Sequence, residues 1–103
     1  MTGGGSIAYS CAKAGVNMIS QSLAKDLAKY NIRVNTVSPS LTLTPLGMQS
    51  YTEDEIKATA EKNPSKRLGK TEDTANLVLF LLSDKADYIN GENVNVNGGI
   101  LLK

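Results

Sequence analysis

From Ala8 onward the chain carries an amphipathic stripe. Ala12, Val16, Ile19, Leu23 and Leu27 recur at spacings of three and four, while Lys25, Asp26 and Lys29 fall off it. That period predicts a helix over Ala8–Tyr30. Asn31 suits its end, because asparagine tolerates the left-handed turn that stops a helix. Ile32, Val34 and Val37 then alternate with polar partners up to Pro39, which predicts a strand over Ile32–Ser38. Ser40–Tyr51, punctuated by Pro45 and Gly47, reads as a loop. Thr52 with Glu55 three residues later is a capping box, so a short helix is expected from there to Lys62, ended by Asn63-Pro64. Thr71 ahead of Glu72-Asp73 predicts the cap of a further helix. Its run Ala75–Leu82 is apolar on nearly every side and predicts burial on more than one face. Asn90-Gly91 marks a turn within Tyr88–Glu92. Val94 and Val96 alternate with Asn93, Asn95 and Asn97 in a last short strand, closed by Gly98-Gly99. Residues 1–7, with three glycines in a row, read as a flexible lead-in.

The order helix, strand, helix, helix, strand rules out a tight hairpin and predicts a parallel α/β arrangement. Two strands are a marginal sheet on their own, so the pattern predicts part of a larger one.

Composition narrows the chemistry. The chain has 103 residues, one small domain by length. Eleven basic and ten acidic residues leave a formal net charge of +1, which gives no support for a nucleic-acid partner. With no histidine and a single cysteine, Cys11, histidine-based triads, an internal disulfide and a zinc site are excluded. The lone thiol suits a reducing compartment, and the opening residues lack a signal-peptide pattern, so a cytoplasmic protein is expected. No membrane association is expected either: Leu77–Leu82, the longest apolar stretch, falls far short of the ~20 residues a span needs. Tyrosine, lysine, serine or carboxylate chemistry remains.

Tyr9 and Lys13 sit four apart near the start of the first helix, on one face. A lysine ammonium beside a phenol favours the phenolate and lowers the tyrosine pKa from its usual ~10. Such a tyrosine can act as a general acid or base near neutral pH. By itself the pair is a common structural spacing, and its surroundings give it meaning. Tyr9-Ser10-Cys11-Ala12-Lys13 resembles the Y-x-x-x-K signature of the short-chain dehydrogenase/reductase family. Arg33-Val34-Asn35-Thr36-Val37-Ser38-Pro39 is similar to that family's R-V-N-x-V-x-P-G strand, and Thr44-Pro45 to the T-P that follows it. Arg67-Leu68-Gly69 with Glu72-Asp73-Thr74-Ala75 resembles its R-x-G-x-P-E-E-I-A segment. Phe80-Leu81-Leu82-Ser83-Asp84, Tyr88-Ile89-Asn90-Gly91 and Asn97-Gly98-Gly99 resemble its F-L-x-S-D, Y-I-T-G and D-G-G blocks. All stand in order and at family spacing.

The resemblance implies a C-terminal portion of a Rossmann-like doubly wound parallel sheet and an NAD- or NADP-dependent oxidoreductase acting on a small carbonyl or alcohol. Tyr9 would be the catalytic acid or base, and Lys13 would assist it and hydrogen-bond the nicotinamide ribose. Pro39 would border the nicotinamide, Thr42 would offer backbone groups to the carboxamide, and Thr44 its hydroxyl to the cofactor. Within residues 45–66, the loop and short helix Leu46–Lys62 would be a substrate cover or a plain surface helix. The family's helices imply a homo-oligomer.

Other family features lack counterparts. A glycine-rich phosphate turn begun at Thr2-Gly3 would need glycines where Ile7 and Tyr9 stand. The catalytic serine is not matched, since Ser6 is only three residues from Tyr9. Gly3–Ile7 can instead be read as the start of the strand that carries that serine. Ser40 and Asn97 replace the glycine of P-G and the aspartate of D-G-G. Two functions follow: the C-terminal portion of an oxidoreductase, inactive alone, or a non-catalytic truncated product that serves as an oligomerisation or interaction module. The residue that separates NAD from NADP belongs to the unmatched half.

Overall fold

The computed structural model describes residues 4–40, 42–43, 49 and 51–100. Helix α1 spans Gly4–Leu27 and tightens into a 3-10 turn at Ala28–Tyr30. Asn31 closes it in the left-handed region (φ 61°), its N–H donating to the Ala28 carbonyl at 2.9 Å. The expected lead-in over 1–7 is corrected at Gly4–Ile7, which belong to α1, while 1–3 lie outside the described residues. Once a helix has nucleated, each further turn adds backbone bonds that offset the ~1 kcal/mol a glycine costs. The reading of Gly3–Ile7 as the start of a strand falls with it.

Strand β1 is Thr36–Pro39, β2 is Thr42–Leu43, β3 is Gly69–Lys70 and β4 is Asn93–Val96. They form two parallel pairs. β1 lies beside β4, with Val37 opposite Val94 and Ser38 opposite Asn95; β2 lies beside β3, with Thr42 opposite Gly69. The parallel α/β expectation holds, and β2 and β3 are additions that two-residue strands cannot announce by alternation.

β1 is shorter than the predicted Ile32–Ser38 because its first residues bond elsewhere. The Ile32 N–H donates to the Leu27 carbonyl at 3.3 Å, and the Val34 N–H to Asn90 Oδ1 at 2.9 Å. Arg33 donates to the carbonyls of Leu81 at 2.9 Å, Ser83 at 3.3 Å and Ile89 at 3.3 Å. Asn35 donates to the Ile89 carbonyl and accepts from the Glu92 N–H, at 2.9 and 3.0 Å. Asn90 in turn donates to the Ala24 carbonyl of α1 at 3.2 Å. Sequence segments 48 to 57 residues apart are therefore the halves of one polar clasp. It satisfies orphan carbonyls at the end of a helix and fastens α1 to the strands.

Helix α2, Glu53–Lys62, begins as predicted. Thr52 Oγ1 accepts from the Glu55 N–H at 3.1 Å, and Glu55 Oε1 accepts from the Thr52 N–H at 3.3 Å. None of its residues is buried. Helix α3, Thr71–Leu81, starts one residue earlier than the expected Thr71 cap: Lys70 is the cap position, and its N–H donates to the Asp73 carboxylate at 2.7 Å. The burial predicted for its apolar run is not found. Leu81 is 8% exposed, but Leu79 is 66% and Leu82 76% exposed. The rest of the described core is small, comprising Ala24, Leu68 and Ala86. The chain exposes 7826 Å², against about 5600 Å² for a compact monomer of its mass. Its radius of gyration is 16.0 Å, against about 13 Å for a compact domain of this length.

Arg67 and Asp73 pair in a fork, at 2.8 and 3.1 Å. The Arg67 hydrogen bonds first, and then the Lys70 N–H, hold the Asp73 carboxyl at about 2 rather than 3.8. A carboxylate depressed on folding stabilises the fold above its ordinary pKa and loses that contribution as pH falls through its lowered one. The stability that Asp73 adds is thus present above pH 3.8 and disappears as the pH falls to about 2. Urea midpoints measured down that range should fall more steeply for the natural chain than for Asp73→Asn.

Candidate functional site

The period of α1 places Tyr9 and Lys13 one turn apart on the same side. The Lys13 ammonium lies 5.7 Å from the centre of the Tyr9 ring, over its face. Such an exposed cation–ring contact is worth about 0.5–1 kcal/mol and keeps the two side chains together. Tyr9 is 57% exposed and Lys13 is exposed as well, so both are open to a small molecule.

Both line a groove of about 240 Å³ with Asn17 of α1. Its other wall is the C-terminal end of β1, Ser38–Ser40, together with Asn93, Asn95 and Asn97. Alternation along β4 sends Asn93 and Asn95 to one side, and Asn97 follows directly after the strand. Across the ladder, Ser38 Oγ donates to Asn93 Oδ1 at 2.8 Å, which orients that wall. The Ser40 N–H, donating to the Val96 carbonyl at 3.0 Å, extends the pairing one residue past Pro39.

The expected residues distribute unevenly. Tyr9, Lys13 and Pro39 meet in this groove. Thr42 belongs to β2, where its backbone pairs with Gly69. Thr44 lies outside the described residues. The asparagine wall was not singled out from sequence, although the Asn-Val alternation of β4 holds the signal: every second residue must share a face.

A second hollow, about 320 Å³, shares Ser40 and Asn97 with the first and is otherwise bordered by the Arg67–Asp73 pair, Asn63 and Gly98. Another hollow, about 560 Å³, lies between β1 and α3 and contains none of the expected site residues. Among the described residues there is no cluster of three histidine, cysteine or carboxylate side chains that could hold a metal, and no helix long and apolar enough to cross a membrane.

A nicotinamide group meets a partial fit. Lys13 and Pro39 stand together at a strand end, and a lysine ammonium there could donate to the hydroxyls of a ribose. The pyrophosphate end requires a glycine-rich turn between a strand and a helix, and here Gly4 and Gly5 lie inside α1.

Comparison with known proteins follows the same lines. A family model described as enoyl-(acyl carrier protein) reductase matches residues 1–101. A short-chain type dehydrogenase/reductase of Picea abies is 40% identical over 92 residues, 89% of this chain and 34% of that protein. A 3-oxoacyl-(acyl-carrier-protein) reductase of Aquifex aeolicus is 44% identical over 97 residues, 93% of this chain and 38% of that protein. The crystal structure of YwfH, an NADPH-dependent reductase involved in bacilysin biosynthesis, superposes with a TM-score of 0.87 at 29% identity, covering 99% of this chain and 42% of that one. The chain thus spans roughly two fifths of the length of these proteins, and its helices and parallel strands are part of their Rossmann-type fold. Matched almost from end to end, the chain belongs to the short-chain dehydrogenase/reductase family.

Proposed function

We propose that this chain is the portion of an NAD(P)-dependent oxidoreductase that handles the proton in the interconversion of a small carbonyl compound and its alcohol. The observation that supports this most is the meeting of Tyr9 and Lys13 with the end of β1 at Pro39 in one open groove. A nicotinamide cofactor, when bound, supplies or accepts the hydride. Tyr9 holds the proton at its hydroxyl and delivers it to the carbonyl oxygen, or removes it from the alcohol in reverse. Lys13, beside the Tyr9 ring, would hold the ribose hydroxyls. Pro39 would border the nicotinamide, Thr42 would offer backbone groups to its carboxamide, and Thr44 its hydroxyl to the cofactor. On this reading the protein works in the cytoplasm as a homo-oligomer.

The pyrophosphate site lies on residues that this chain does not match, so cofactor binding needs the glycine-rich part of the fold as well. The 103 residues by themselves should show no saturable NADH or NADPH binding at micromolar concentration in a fluorescence titration. Tight binding would show that the cofactor site has been placed on the wrong part of the fold.

The exposed apolar residues of α1 and α3 favour a second reading, a non-catalytic module that joins chains. Ile7, Ile19, Leu79 and Leu82 all face solvent, an arrangement that draws partners. Sedimentation should show a mass that rises with concentration, and a concentration-independent monomer would overturn the association. Assemblies that turn over no carbonyl with either cofactor, even when joined to a glycine-rich half, would favour this module over the oxidoreductase.

A further inference from the structure

Asn63 is 5% exposed, the one buried polar residue among those described. It directly follows α2, in extended backbone (φ −78°, ψ 132°), as the residue before a proline must be. Both ends of its carboxamide are used. Nδ2 donates to the Asn97 carbonyl at 3.0 Å, and Oδ1 accepts from the Ser65 N–H at 2.8 Å. Ser65 Oγ adds a donation to the Gly98 carbonyl at 2.8 Å. Gly98, at φ +63°, lies so close that a Cβ there would stand 2.5 Å from Asn63 Oδ1. Meanwhile α2 buries none of its own residues. Only a half-buried stripe, Ile56, Thr59 and Ala60, lines one side of α2, so its fastened end matters to its placement, and this end is stitched to the turn whose Asn97 lines the Tyr9–Lys13 groove.

We propose that Asn63 is a positioning residue: through Asn97 and Gly98 it sets where α2 stands relative to the Tyr9–Lys13 groove. What α2 then helps to cover rests on the oxidoreductase reading, whereas the anchoring does not. A buried carboxamide is suited to this task. It donates and accepts at once, carries no charge that would need a counter-ion, and loses both bonds if the loop slips.

Spin labels on Cys11, the exposed thiol two residues after Tyr9, and on Lys57→Cys in the exposed middle of α2 measure this placement directly. In the otherwise natural chain the distance distribution should be narrow. Asn63→Ala should broaden it, and Ser65→Ala, which removes only the outer bond, should broaden it less. Hydrogen exchange over 53–62 should quicken roughly tenfold in Asn63→Ala, with 12–27 unchanged, as loss of one buried hydrogen-bonded group implies. A distribution already broad in the parent, or one that stays narrow in both variants, overturns the proposal. So does faster exchange spread evenly over the chain. Neither measurement needs a cofactor or turnover, so a failed oxidoreductase reading leaves the result interpretable.

Discussion

Tyr9→Phe should lower turnover by about 10²–10⁴, the range of a lost general acid, in an assembly that joins this chain to a glycine-rich cofactor half. Phenylalanine keeps the ring, and with it the contact with the Lys13 ammonium 5.7 Å away and the wall of the groove. Only the hydroxyl proposed to hold the proton is gone. Because Tyr9 is more than half exposed, the substitution removes little buried area, and the urea midpoint should not move. The loss should appear in kcat and kcat/KM alike, as expected for an interaction made in the transition state. Lys13→Met keeps the length of the stem and removes the charge, so it should be nearly as damaging through both the tyrosine and the ribose. Full activity in both variants would show that the proton passes through some other group.

Gly98→Ala should cost on the order of 3 kcal/mol of stability, from two sources. Gly98 sits at φ +63°, where a side chain strains the backbone. The added Cβ would also meet Asn63 Oδ1 at 2.5 Å and Ser65 Oγ at 2.9 Å. A flexible side chain could swing aside cheaply. Asn63 cannot, because it is buried and bonded at both ends of its carboxamide, and moving it breaks the bonds to Asn97 and Ser65. Gly99 provides the contrast: it too has positive φ (93°), but its N–H donates to Asn97 Oδ1 at 2.9 Å. Urea denaturation of Gly98→Ala against the natural chain checks the figure. An unchanged midpoint would mean that the 63–65 segment is not held against this turn.

Much of the local structure was legible in the chain. The stripe Ala12–Leu27 specified α1, Thr52 with Glu55 specified the start of α2, and Asn31 and Gly91 specified turns through the left-handed backbone they tolerate. These signals act between residues a few positions apart, so the sequence displays both partners together. The Tyr9–Lys13 pair was legible for the same reason, since a helix brings residues four apart onto one face. The family blocks could be recognised one by one, but their purpose could not.

That purpose is tertiary. Arg33 reads as a polar residue in a strand, and only the fold shows it collecting carbonyls 48 to 56 residues away. The same clasp cuts β1 short, because a backbone group bonded to a side chain is lost to the ladder. Asn63 reads as a helix stop, and only the approach of Gly98 makes it a buried anchor. The apolar run of α3 correctly announced a helix but not its cover, because burial depends on what else stands nearby. Local patterning determined the helices, their caps and the Tyr9–Lys13 pair. The tertiary structure decided strand partners, burial and the walls of the groove, because each depends on groups that meet only after distant segments have folded against one another.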